Sequence, residues 1–261
     1  MHFRRVSIFL TLLATLFLTN ACHHAVTAPV STLPAVTGTP LPSLTSPSGK
    51  TYSRTEIDPA DDKEPVVIPP VPPGAAPNLD TFHGTARKAA KLSIASGTPK
   101  SFSDVKALLD SLIPDATMRA KHIDSGAGSD RLPEEQKRVT VAAFLYAASR
   151  ESDNDFHCVI GRDPSKAALF MNVEVSALPP SSSEFFAQLR TTRNQFKTFF
   201  TTNGEALPGS RYTKYTPPIP VKVTGSLFFD VDHVPPAVGP TGMKPQTAWE
   251  IHPVNNMQFE Q

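Results

Sequence analysis

The chain has 261 residues, with 25 Lys and Arg against 24 Asp and Glu. Its formal charge of +1 argues against duplex nucleic acid as a partner, because phosphate backbones select strongly basic surfaces. Two cysteines, Cys22 and Cys158, are too few for a disulfide framework, so any folded part must rest on its own apolar core.

The N-terminus carries an address. Arg4 and Arg5 precede an uncharged apolar run over 6–18, followed at once by Thr19-Asn20-Ala21-Cys22. A basic start, a short apolar stretch and a small residue before a cleavable bond read as a secretory signal peptide over 1–21. The run is too short to cross a bilayer as a helix. Cys22 stands where bacterial lipoproteins carry the acylated residue, although Thr19 replaces the usual aliphatic residue three positions earlier. The alternative is a plain secretion signal, cut after Ala21 or after Val26-Thr27-Ala28. Either way the protein is exported. With Cys22 lipidated, the membrane is its first partner and the site is the periplasm or outer membrane of a Gram-negative host. Without it, the protein is secreted.

Residues 22–78 read as a tether. Twelve of the 27 prolines fall between Pro29 and Pro77, densest in Val66-Val67-Ile68-Pro69-Pro70-Val71-Pro72-Pro73. Proline fixes φ and removes a backbone donor, so the expectation is an extended, semi-rigid spacer. An accessory helical segment is expected over 79–136. Within it Ala86–Ala95 forms a short basic helix. Ser101 and Asp104 cap a second helix carrying Phe102, Val105, Leu108, Leu109 and Leu112, which Pro114 stops and which lids the following domain.

From 137 to 261 the pattern turns to strands: Arg138–Ala148, Asp155–Ile160, Ala168–Val175, then a helix over Ser183–Phe200, then Ile219–Asp230 and Thr247–Phe259. The fold class is therefore mainly β with accessory helices, and the order β-β-β-α-β-β is that of a small OB-like barrel. The helix should open on Ser183 and Glu184 and bury Phe185, Phe186, Leu189, Phe196, Phe199 and Phe200.

Period-two alternation sorts the strand side chains. Phe156, Cys158 and Ile160 share one face with Leu169, Met171, Val173, Trp249 and Ile251. Asp155, His157, Glu174, Glu250 and His252 should share the opposite, solvent-facing side if the second, third and fifth strands are neighbours. Cys158 is then a buried, inert thiol. Imidazoles beside carboxylates suit a divalent metal, with His157, Glu250 and His252 as ligands. Asp155, Glu174, Asp230 and His233 are further polar candidates. The alternative is a row of cross-strand hydrogen bonds and ion pairs. His-Glu-x-x-His, Gly-x-Ser-x-Gly and Cys-x-x-Cys are all absent from the sequence.

The segments Asp153-Asn154-Asp155-Phe156-His157, 221–233 and Glu250-Ile251-His252-Pro253-Val254 resemble a broad set of mostly uncharacterised secreted bacterial proteins with a D-x-D-x-H strand and a C-terminal E-x-H-P-V segment. The resemblance covers 137–259 and implies the polar positions Asp153, Asp155, His157, Asp230, His233, Glu250 and His252, but no particular reaction. Three functions stay open at this point. One is a tethered envelope or secreted binding or scaffold module of unknown ligand, favoured because no nucleophile–base pair is evident. The others are a secreted metal-dependent hydrolase acting on phosphodiesters and a purely structural lipoprotein.

Overall fold

The computed structural model describes residues 37–60, 66–68, 80–202, 204–233 and 238–260. The signal peptide over 1–21 and the lipid site at Cys22 lie outside these residues. The architecture is mainly β: β1 (Thr39–Thr45), β2 (Thr51–Pro59), α1 (Lys88–Lys91), β3 (Lys100–Phe102), α2 (Val105–Leu109), α3 (Asp115–Arg119), β4 (Arg138–Arg150), β5 (Phe156–Gly161), β6 (Phe170–Val175), α4 (Phe186–Thr201), β7 (Arg211–Phe229) and β8 (Trp249–Phe259).

The strands form one mixed sheet in the order β1-β2-β7-β8-β6-β5-β4-β3, with a further pairing of β7 to β4. That pairing closes β4, β5, β6, β8 and β7 into a circuit. All its pairs are antiparallel except β6–β8, which is parallel. β7 is long enough to serve three neighbours: β2 along 211–216, β8 along 221–229, and β4 along most of its length.

One face of these strands forms the main core. Phe156, Cys158, Ile160, Met171, Val173, Trp249 and Ile251 are all buried in it, as alternation requires. Leu189, Phe196, Phe199 and Phe200 of α4 are buried, with Phe199 stacked on Phe259. Two bulky rings lie outside that stripe: Phe185 and Phe186 are half-buried, and the helix starts only at Phe186 with no side-chain cap. The Ser183 hydroxyl instead accepts the Phe185 N–H one step earlier.

The segment after residue 79 is less helical than its sequence implies. α1 spans a single turn. Asp104 does cap α2, accepting the Ala107 N–H at 2.8 Å, but Phe102 sits in β3, paired parallel to β4. Val105, Leu108 and Met118 from α2 and α3 enter the main core.

The largest departure concerns the tether. Within 22–78, β1 and β2 form a hairpin, and β2 pairs antiparallel with β7. Leu44, Tyr52 and Ile57 are buried there. Arg54 donates to the Pro42 and Ala206 carbonyls and pairs with Glu205. Pro40 and Pro42 are tolerated because β1 is an edge strand, where a missing donor disturbs no ladder on the open side.

Candidate metal centre

Strand register puts the polar groups in one row. His157 on β5 is the direct cross-strand partner of Glu174 on β6. The parallel pairing of Asn172 with Glu250 and Val173 with Ile251 brings His252 of β8 alongside Glu174. His157 Nδ1 lies 3.4 Å from Glu174 Oε1, and His252 Nδ1 lies 2.9 Å from Glu174 Oε2. The two imidazoles thus approach opposite oxygens of one carboxylate.

Further groups ring this centre. Glu151 Oε1, from the turn between β4 and β5, is 3.0 Å from His157 Nδ1. Asp155 Oδ2 is 3.2 Å from His252 Nε2, while its other oxygen accepts the Ala177 N–H. Glu250 Oε2 is 4.0 Å from His252 Nδ1. Among the described residues, two sets of donors converge so that their ligand atoms lie within 4.8 Å of one another: Glu151, His157 and Glu174, and Asp155, Glu174 and His252.

The expected side is right, but its environment is not. Asp155, His157, Glu174, Glu250 and His252 lie opposite Cys158, Trp249 and Ile251, yet they are buried rather than wet. Chain from residues 80–93 and from 131 lies over them. The Phe82 N–H bonds the Leu178 carbonyl, and the His83 N–H bonds the Asp153 carbonyl. Lys91 Nζ stands 4.0 Å from Asp153 and over the Phe228 ring, which itself packs on His252. The Arg131 guanidinium donates to the His252 carbonyl at 2.6 Å.

Burial and like charge set the protonation states. Desolvation raises the carboxyl pKa values of Asp153, Asp155 and Glu250. Glu174 goes the other way: burial disfavours its charge, but the imidazoles of His252 and His157 hold it well below the usual range. Burial lowers the basicity of His252, and Glu174 and Asp155 outweigh it to bring its pKa up to about 9. His157 is likewise raised, against burial, by Tyr212 and Glu151. Cys158, fully buried on the other face, is pushed up to about 12 and is inert as expected.

Geometry is less satisfied than distance implies. None of the four ring nitrogens of His157 and His252 makes an in-line hydrogen bond, and neither does Glu174 Oε2 or Asp155 Oδ2. Buried polar atoms in such a state carry a penalty of about 1–3 kcal/mol each unless something else engages them. A cation does so for lone pairs on nitrogen and oxygen together.

The remaining candidates stand aside. Asp230 and His233 pair with each other at the end of β7, and that contact lifts the His233 pKa, against burial, to about 9. Asp153 holds the turn, its carboxylate accepting the Asp155 N–H. The ligand set His157, Glu250 and His252 is not one convergent set, since the two imidazoles belong to different groups. Glu151 and Lys91 were not legible as site residues. The first lies in a polar turn between two strands, and the second in a short basic helix whose face is decided only by packing. No family model matches the chain, and neither a curated protein nor a solved structure matches it.

Proposed function

We propose that this is an exported binding module, anchored through lipidated Cys22, whose OB-type barrel holds a divalent cation. The observation that carries the cation is the pair of buried imidazoles that lie beside the Glu174 carboxylate without in-line hydrogen bonds. Support for an OB-type barrel comes from the closed circuit of β4, β5, β6, β8 and β7, its parallel β6–β8 pair, and α4 between β6 and β7. OB-type barrels use the face of their second and third strands, with the loops after the first and fourth, for ligands. On this reading the cluster takes part of that address: β5, β6 and the turn carrying Glu151. Here residues 80–93 overlie it, which suits a small ion better than a polymer and weakens the hydrolase alternative.

Two experiments test these parts. The purified full chain, stripped with chelator, should gain thermal stability on adding Zn²⁺ or Mn²⁺. The gain is about 2.7 kcal/mol at a hundredfold excess over Kd. Glu174→Gln, which removes the carboxylate common to both donor sets, should abolish the shift, and His252→Ala should reduce it. No bound metal after purification and no stabilisation by either ion in the wild type would overturn the cation. For the anchor, Cys22→Ser should move the protein from the membrane fraction to the soluble fraction. A wild-type protein that is already soluble would overturn it.

A further inference from the structure

We propose that the cluster takes two divalent cations bridged by the Glu174 carboxylate, an inference that rests on the cation reading above. Two donors bound to one ion at about 2.1 Å stand about 3.0 Å apart in octahedral and about 3.4 Å apart in tetrahedral coordination. Three of the four closest imidazole–carboxylate contacts match those edges. His157 Nδ1 is 3.0 Å from Glu151 Oε1 and 3.4 Å from Glu174 Oε1, and His252 Nδ1 is 2.9 Å from Glu174 Oε2.

A single ion does not serve both imidazoles. Two donors on one ion are at most about 4.2 Å apart at such bond lengths. Among the described residues, the convergent sets within 4.8 Å keep His157 and His252 separate and share only Glu174. The first ion therefore takes His157 Nδ1, Glu151 and Glu174 Oε1. The second takes His252 Nδ1 and Glu174 Oε2, with Glu250, 4.0 Å from that nitrogen, as the third donor after a side-chain rotation.

Asp155 has a different part in the second site. The lone pairs of Nδ1 and Nε2 point away from each other, so an ion at Nδ1 leaves Nε2 to Asp155, 3.2 Å away. A carboxylate on the far nitrogen fixes the tautomer and orientation of a ligating histidine. Glu151, Glu174 and Glu250 together with the imidazoles form mixed nitrogen and oxygen sets, which suit Zn²⁺ and Mn²⁺.

Stoichiometry decides between the alternatives. Calorimetric titration of the chelator-stripped full chain with Zn²⁺ should give two ions per chain. His157→Ala and His252→Ala should each retain one. Loaded with Mn²⁺, the wild type should show a spin-coupled paramagnetic resonance spectrum, because a bridging carboxylate holds the ions about 3.5–4 Å apart. One ion per wild-type chain, or two Mn²⁺ ions without coupling, overturns the bridged pair and leaves the cation reading above standing. No bound ion at all overturns both.

Discussion

Replacing Arg87 with Met should lower the unfolding free energy by about 3–5 kcal/mol, the usual loss when one partner of a buried ion pair is removed. The Arg87 guanidinium meets Glu135 as a fork, with both N–O distances at 2.7 Å, and both side chains are essentially unexposed. Arg87 also donates to the carbonyls of Phe229 and Asp130. Glu135 accepts the N–H groups of Phe229 and Leu132. One pair therefore ties α1 and the short 3₁₀ turn at Pro133–Glu135 to the end of β7. The Met variant strands the Glu135 charge in the interior, and this explains most of the expected loss. Adding Glu135→Gln removes that charge and keeps an acceptor for the backbone, so the double variant should regain more than half of the loss in urea unfolding. A fall below about 1 kcal/mol for Arg87→Met, within the range of an exposed pair, contradicts the assignment.

Deleting the hairpin over 37–60 should have the largest effect of any change outside the cluster. Leu44 and Tyr52 belong to the main core, and Ile57 packs with Tyr146, Val159 and Tyr212 on the other face. Each buried side chain of this size removed corresponds to about 2–5 kcal/mol, against a total stability of about 5–15 kcal/mol. The deletion also bares the edge of β7 over 211–216, an unpaired strand edge prone to aggregate. The deleted chain should fail to fold or should lose more than ten degrees of melting temperature, by about the size scaling of such losses. Tyr52→Ala is the milder test. It should cost about 3–5 kcal/mol, because the ring leaves the core and its hydroxyl leaves Glu260, 2.7 Å away. A calorimetric melt of the deletion matching the full chain would return the hairpin to the role of a spacer.

The hairpin also shows where local sequence misled. Twelve prolines over 29–77 dominate its neighbourhood, but Tyr52 and Arg54 alternate inward within β2. That short period-two signal was present and was outweighed by composition. Proline disfavours a central strand, and β1 is not central.

What the sequence determined by itself is the local order between 137 and 261. Apart from the first half of β7 over 211–218, the five strands, α4 and the two-faced sorting of residues such as Cys158 and His157 follow from periodicity, because side-chain direction in a strand or helix is set by the residue's own backbone. The inert Cys158, the buried Trp249 and the alignment of His157, Glu174 and His252 on one side came with it. Only the tertiary structure decided whether that side meets water. The answer lies with Lys91, beside Asp153 and over the Phe228 ring that packs on His252, and with Arg131, which donates to the His252 carbonyl; both come from outside the strands and help turn a wet face into a buried one. Burial in turn changes the chemistry. Exposed carboxylates and imidazoles are hydrated and nearly independent, whereas the same groups in a low-dielectric interior must share protons or a cation. No local pattern encodes that, because desolvation is a property of what packs on top of a strand and not of the strand's own residues.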